Sequence, residues 1–85
     1  MPTISMFYGI VIRMFFSDHN PPHFHAYYQD FDAAFDLDGN LIAGSLPSKQ
    51  TKLVVAWCVL HREELEANWR LSQEDGTVYK IEPLR

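Results

Sequence analysis

Three of the four histidines lie in one short segment, Asp18–His25, which reads Asp-His-Asn-Pro-Pro-His-Phe-His. His23 and His25 are two residues apart, so both side chains point to one face of a β-strand. With Asp36 on a neighbouring strand they would form two imidazoles and one carboxylate, a set typical of zinc, iron or manganese sites. His23, His25 and Asp36 are therefore our candidate ligands for a divalent transition-metal ion. The first expectation, however, is the structural one, in which His23 and Asp36 form an exposed cross-strand pair and no cofactor is bound.

The same segment could also act without any cofactor. Imidazole groups titrate near neutral pH and serve as general acids and bases in enzymes. The candidate catalytic residues for cleavage of an RNA phosphodiester are His19, His23, His25 and Asp36. Arg13 would steady the phosphate, and Phe15 and Tyr27 would stack on bases. Aspartates on the same predicted face would repel a phosphate backbone and argue against this alternative.

Alternation of apolar and polar residues predicts the strands that position these side chains. The predicted strands lie within Gly9–Phe16, His23–Tyr28, Phe31–Leu37 and Leu41–Leu46. A two-residue turn at Gln29-Asp30 would set Tyr28 opposite Phe31 and His23 opposite Asp36. The sequence therefore predicts an antiparallel sheet of three to four strands.

Directly opposed residues of antiparallel strands share one face of the sheet. With this register the core face carries Phe24, Ala26, Ala33 and Phe35, which are all apolar. The opposite side, called the reverse face below, carries Arg13, Phe15, His23, His25, Tyr27, Asp32 and Asp36. Ionisable and aromatic side chains are thus expected on one side of the sheet and the core on the other.

A helix is predicted from 47 to 73, because Pro47 suits a first turn and no breaker follows before Gly76. The spacing allows either one continuous helix or a break near His61. A short final strand is predicted at Val78–Ile81, which is rich in residues that favour strands. The fold class is therefore α+β, with one long or broken helix packed on the sheet.

The segment Leu53–Leu60 is apolar around its whole circumference. Such a helix is covered on more than one side, and the sheet can cover only one. A chain this short hides only about two thirds of its surface on folding. We therefore expect a second copy of the chain or a small protein partner at this helix, with Trp57 and Trp69 as candidate interface anchors.

Composition limits the possible classes of protein. The chain has 85 residues, 47% of them apolar, and a formal net charge of −4. It fits one folded domain over 1–85, with a strand-rich part at 1–46 and a helix and final strand at 47–85. The single cysteine, Cys58, has no disulfide partner in the chain, which favours the reducing cytoplasm. No apolar run is long enough for a membrane span, so no membrane contact is expected.

The motif Asn-Pro-Pro-His-Phe-His at 20–25 is specific enough to indicate a family. Together with Phe7-Tyr8-Gly9-Ile10, Leu46-Pro47, His61-Arg62-Glu63-Glu64-Leu65 and Asn68-Trp69, it resembles the prokaryotic DUF4160 family, a domain of unknown function. The resemblance extends over nearly the whole chain. It implies a component of toxin–antitoxin-like modules of two adjacent genes. It supplies no catalytic residues.

Three functions are therefore expected, in this order. The first is a cytoplasmic protein-interaction component of a toxin–antitoxin-like module. The second is a histidine-dependent ribonuclease or metal-dependent enzyme that uses the segment Asp18–His25. The third is a DNA-binding regulator, which the negative net charge and the scattered basic residues disfavour.

Overall fold

The computed structural model describes residues 2–74 and 76–85 of the chain. The strands are β1 (Thr3–Phe7), β2 (Ile10–Arg13), β3 (His23–Tyr28), β4 (Phe31–Asp36) and β5 (Leu41–Gly44), and the helices are α1 (Ser48–Leu60) and α2 (Arg62–Glu74). All strands belong to one antiparallel sheet with the order β1-β2-β3-β4-β5. The α+β class is confirmed, but the sheet has five strands where three to four were predicted.

The additional strand is β1, which the strand prediction omitted. It pairs with β2 through a tight turn at Tyr8-Gly9, where both residues have positive φ, 49° and 79°. Two positive φ values are the signature of hairpin turns whose twist matches that of the strands. The apolar residues at the N-terminus therefore belong to the sheet, and Ile4 is fully buried in the core.

The predicted register of β3 and β4 is confirmed. Tyr28 pairs with Phe31, Phe24 with Phe35, and His23 with Asp36, around a two-residue turn at Gln29-Asp30. Phe24 and Phe35 stack with ring centroids 5.7 Å apart on the core face. The reverse face is consequently separated from the core, as the alternation required.

The core lies between the sheet and the two helices. Trp57 of α1 is fully buried and contacts the rings of Phe7 and Phe24. Its Nε1–H donates to the carbonyl oxygen of Glu82 at 2.8 Å, which fastens the end of the chain over the core. Trp69 of α2 is also buried. Both indoles thus pack inside their own chain, whereas the sequence offered them as anchors for a partner.

The helical region is broken at His61, one of the two arrangements that the spacing allowed. His61 has φ −120° and ψ 26°, which ends α1, and α2 begins at the next residue. The break lets each helix present its own face to the core. Val54 and Trp57 are buried from α1, and Leu65 and Trp69 from α2.

The predicted final strand at Val78–Ile81 is wrong. These residues form no strand, although the backbone N–H of Ile81 donates to the carbonyl oxygen of Ile4 at 2.7 Å. The reason is the side chain of Asn68, which is 3% exposed. Its Nδ2 donates to the carbonyl oxygen of Tyr79, and its Oδ1 accepts from the N–H of Tyr79. One amide side chain on α2 therefore satisfies the backbone groups that a neighbouring strand would have paired.

The apolar segment of α1 is covered only in part. Val54, Trp57 and Cys58 are buried, whereas Val59 and Leu60 are 67% and 68% exposed. The uncovered apolar surface of this segment is thus concentrated at its C-terminal end. Neither described helix has the length and apolar character needed to cross a membrane.

Candidate metal centre

Asp18, His23 and His25 come together at the edge of the reverse face and are called the three-ligand cluster below. Nε2 of His23 lies 2.9 Å from Oδ2 of Asp18, and Nε2 of His25 lies 3.7 Å from the same oxygen. One potential ligand atom from each residue lies within 4.8 Å of the others. A tetrahedral zinc ion with bonds of about 2.0–2.1 Å holds its ligand atoms about 3.3 Å apart. The two nitrogen-to-oxygen distances observed here, 2.9 and 3.7 Å, lie just below and just above that value.

Two elements position the cluster. His23 and His25 are the first and third residues of β3, so the pleat points both imidazoles to the reverse face. Asp18 comes from the loop between β2 and β3, where the backbone N–H of Ser17 donates to the carbonyl oxygen of Ser72 in α2. The loop is therefore held against the end of α2, and the carboxylate is brought back over the start of β3.

His23 is the most enclosed member of the cluster. Its side chain is 6% exposed and its ring lies 5.4 Å from the ring of Trp69. The ring of His25 is 5.1 Å away on the other side. Packing on two sides fixes the imidazole plane, which is the preorganisation that a metal ligand requires.

The hydrogen bonds of His23 determine the state of its ring. Nδ1 lies 2.7 Å from the carbonyl oxygen of Pro21, and a carbonyl oxygen only accepts, so Nδ1 carries a proton and donates it. Nε2 then faces a carboxylate oxygen of Asp18 at 2.9 Å. Two acceptors at this distance repel unless a cation, either a proton or a metal ion, lies between them. A backbone carbonyl that accepts from the second nitrogen is the usual partner of a metal-bound histidine.

The protonation states of the other two members suit a metal ion. Burial lowers the pKa of His25, and the nearby His23 lowers it further, against the opposing effect of Asp18. Burial raises the pKa of Asp18, but hydrogen bonds from the His19 backbone and from His23, with the charges of both histidines, outweigh it and lower the pKa. At neutral pH the pair is therefore a neutral imidazole and a carboxylate. Metal ions require ligands in these states, and a metal ion would have to replace the proton through which His23 donates to Asp18.

His19 lies at the solvent side of the cluster. Its side chain is 84% exposed, and Nδ1 lies 3.0 Å from Oδ1 of Asp18, the oxygen that His23 does not contact. The ring of His19 is also 5.4 Å from that of His23. All three histidines that the sequence singled out are thus gathered around Asp18.

Asp36, the carboxylate that the sequence offered, is not part of this group. It is opposite His23 in the ladder, as expected, but its oxygens accept hydrogen bonds from the backbone N–H groups of Asp38 and Asn40 and from Nδ2 of Asn40. The carboxylate is therefore committed to the turn between β4 and β5. The strand alternation gave no reason to choose Asp18, but the Pro21-Pro22 pair that follows it was a signal for a sharply returning loop.

The remaining reverse-face candidates lie next to His25. The ring of Phe15 meets His25 edge to face at 4.7 Å, and the ring of Tyr27 lies parallel to His25 at 6.4 Å. The guanidinium carbon of Arg13 lies 5.3 Å from the centre of the Tyr27 ring. Arg13, Phe15 and Tyr27 thus share a surface with the cluster, but their rings contact other side chains of the protein instead of forming an open stacking platform.

A cavity of about 330 Å³ lies behind the loop that carries Asp18. It is lined by residues including Pro21, Pro22, Asp36, Arg62 and Trp69. None of the three cluster residues lines it. The three-ligand cluster therefore lies outside this cavity.

Comparison with known proteins identifies the family. The family model for a domain of unknown function (DUF4160) matches residues 9–70, which is more than half of the chain and includes the whole cluster. Neither the curated proteins nor the solved structures that were searched gave a match. The match confirms the resemblance carried by the Asn-Pro-Pro-His-Phe-His motif, and it is silent on toxin–antitoxin modules. The chain belongs to the DUF4160 family, a domain of unknown function.

Proposed function

We propose that this protein is a metal-dependent enzyme whose centre is the three-ligand cluster. The observation that carries the proposal is the convergence of Nε2 of His23 and Nε2 of His25 on one oxygen of Asp18. Two imidazoles and one carboxylate form a ligand set used by zinc, manganese and non-haem iron. His23, His25 and Asp18 would hold the metal ion, which would replace the proton between His23 and Asp18.

The number of protein ligands favours catalysis over a structural role. Structural zinc sites use four protein ligands, whereas catalytic sites use three and leave a position for water or substrate. The described residues offer three ligands, and His19 on the exposed side is held by Asp18 without closing the site. A bound metal lowers the pKa of a coordinated water to about 7. A bound metal would supply an activated water for hydrolysis, and the exposed His19 would be placed to donate a proton to the leaving group.

The proposal is tested by metal analysis and by calorimetric titration of zinc and of manganese into tag-free protein. We expect one ion per chain in the wild type and loss of binding in His23→Ala and His25→Ala. His61→Ala is the matched control, because His61 is the one histidine outside the segment Asp18–His25 and contacts Glu64 instead. Zinc and manganese binding unchanged in both cluster variants, or absent from the wild type, would contradict the metal centre.

Activity is tested on RNA and on nitrophenyl esters of phosphate and of carboxylic acids. A metal enzyme loses hydrolysis in a chelator and regains it when the metal is restored. The metal-free alternative, in which the histidines act as acid and base, keeps its activity in the chelator and loses it in the histidine variants. Metal binding without hydrolysis of any of these substrates would remove the enzymatic part of the proposal.

A second candidate function is the protein-interaction role in a cytoplasmic, toxin–antitoxin-like module. It is supported by the exposed apolar pair Val59 and Leu60 at the end of α1, since such side chains are common at interfaces. Co-expression with the product of the adjacent gene tests it. We expect a complex that Val59→Glu and Leu60→Glu disrupt, with Lys52→Glu, also exposed on α1, as the control. Failure to recover a complex, or one that tolerates both glutamates, counts against this role.

A further inference from the structure

We propose that Arg13 is a binding site for a phosphate group and that the substrates of this protein are phosphate esters. The inference rests on the proposed metal centre and names the substrate class that this centre would process. It starts from the position of Arg13, which is opposite His25 in the ladder between β2 and β3. Opposed side chains of antiparallel strands have Cβ atoms about 5 Å apart on the same face. The Arg13 side chain therefore neighbours His25 on the reverse face, as a residue that binds the same anion as the metal would have to.

The guanidinium of Arg13 has unused hydrogen-bonding capacity. Its Nε is buried and has no hydrogen-bond partner among the residues that the structure describes. A buried donor on a charged group is costly to leave unpaired. In contrast, Arg62 pairs with Asp38 and Glu66, and Arg85 pairs with Glu82.

The absence of a partner for Arg13 does not reflect a shortage of carboxylates. The chain has 11 acidic and 7 basic residues, and yet no described carboxylate forms an ion pair with Arg13. Two acidic side chains of β4 are on this face: Asp32 is opposite Tyr27 and exposed, and Asp36 accepts hydrogen bonds within the turn to β5. Arg13 is thus a half-buried cation without a counter-ion next to the three-ligand cluster. An anion from solution would supply the missing negative charge.

The Tyr27 ring is the neighbour that restrains the guanidinium of Arg13. The guanidinium carbon lies over the Tyr27 ring, 5.3 Å from its centre, a cation–π contact that helps to hold the group in place. The fork of donors matches two oxygens of a phosphate. A phosphate has a third oxygen for the metal, whereas a carboxylate has only two oxygens in all. This geometry favours phosphate over carboxylate as the recognised group.

The hydrolysis that follows is balanced without a further reactant. A water molecule activated by the metal would lose one proton to solvent and form a bond from its oxygen to phosphorus, while the bond from phosphorus to the ester oxygen breaks. The departing oxygen would take up a proton, for which His19 is the exposed candidate donor. Arg13 would neutralise charge on the phosphoryl oxygens during this step, which is the usual role of arginine in phosphoryl transfer.

The experiment is calorimetric titration of inorganic phosphate into the zinc-loaded and the zinc-free protein. We expect Arg13→Gln to weaken phosphate binding roughly 10- to 100-fold, because charged hydrogen bonds are lost, and to leave zinc binding unchanged. Arg70→Gln, which removes an exposed arginine of α2, is the matched control. Equal phosphate affinity in Arg13→Gln and the wild type would overturn the proposal.

A measurement on the wild type keeps the proposal testable if Arg13→Gln does not fold. In nitrogen-15 NMR spectra we expect phosphate to shift the Nε–H signal of Arg13 more than that of Arg70. An unmoved Arg13 signal at saturating phosphate would overturn the site. If zinc fails to bind but phosphate still moves the Arg13 signal, the metal centre is wrong and the anion site stands. If zinc binds and phosphate leaves the Arg13 Nε–H signal unmoved, the metal centre stands and only the proposed substrate class is wrong.

Discussion

Nδ1–H of His23 donates to the carbonyl oxygen of Pro21, two residues earlier, at 2.7 Å. This bond lies inside the Asn-Pro-Pro-His-Phe-His motif, so the motif contains both a candidate ligand and the group that orients it. Proline restricts the backbone on either side, which keeps the carbonyl in place. The hydrogen bond therefore gives the prolines of the motif a structural role, which is to orient the His23 ring.

The first prediction separates the two aspartates that could complete the metal site. Asp18→Asn should weaken zinc binding by more than roughly 100-fold, since losing even an outer-shell partner typically costs 10- to 100-fold. Asp36→Asn should leave zinc affinity unchanged, because Asp36 serves the turn to β5. Calorimetric titration measures both variants. If Asp36→Asn binds zinc more weakly than Asp18→Asn, the carboxylate ligand is Asp36 of β4 and not Asp18.

The second prediction concerns the stability contributed by Asp36. Burial raises the pKa of its carboxyl, but hydrogen bonds from Asn40 and Asp38 and the charge of Arg62 outweigh that effect and lower the pKa. A lowered pKa in the folded state stabilises the protein above the unfolded pKa of about 3.9, and the stabilisation is lost as the pH falls through the folded value.

Asp36→Asn should therefore lower the free energy of unfolding by about 1 kcal/mol at pH 7. The difference from the wild type should shrink towards zero as the pH is lowered below 4. Urea denaturation at a series of pH values measures this. An exposed aspartate of the β3–β4 turn, Asp30, supplies the control substitution. A difference that stays constant down to pH 2 would mean that charge is not the cause.

The third prediction is that Cys58 is chemically inert in the folded protein. Its side chain is fully buried, Sγ lies 3.2 Å from the carbonyl oxygen of Leu37, and burial raises the pKa of the thiol to about 11. At pH 8 a disulfide reagent should react roughly 100-fold or more slowly than in denaturant, because little thiolate forms. Absorbance assays give both rates. Comparable rates in the two conditions would contradict the burial of Cys58.

The fourth prediction uses two glycines with similar backbones. Gly44 has φ +71°, and a Cβ there would lie 2.3 Å from the carbonyl oxygen of Asp32. Gly76 has φ +69°, and apart from its chain neighbours a Cβ there would meet no atom of the described residues within 4 Å. Gly76→Ala should cost about 1 kcal/mol for the backbone conformation alone. Gly44→Ala should cost about 2–4 kcal/mol, because β4 and β5 must also separate. Thermal unfolding measures the difference, and equal losses would show that the close contact is relieved at no cost.

The parts of the fold that obey a periodicity were predictable. Strict alternation in Phe31–Leu37 and a two-residue turn set the register of β3 against β4, and the structure agrees residue by residue. The reverse-face position of His25 follows from the same pattern. Burial on one face penalises any slip by one residue, because a slip would exchange the two faces.

The parts that depend on single long-range contacts were not predictable. The position of Asp18 is set by the path of a loop tied to Ser72, which no pattern encodes. The expected strand at Val78–Ile81 is replaced by two hydrogen bonds from Asn68. In each case the conformation of the segment depends on a hydrogen bond to a residue distant in the sequence. The local sequence preferences of the segment do not contain that information.

The contact between Trp69 and His23, with ring centroids 5.4 Å apart, gives the protein an optical reporter of its own. An excited indole is quenched by a protonated imidazole or by a transition metal with a partly filled d shell. Binding of manganese or iron beside His23 should therefore quench the fluorescence of Trp69, whereas binding of the diamagnetic zinc ion should not. At constant pH, Trp57 contributes a steady background, because its ring contacts Phe7, Phe24 and His61 instead. The intrinsic emission of the unlabelled chain can thus follow the state of this centre in real time.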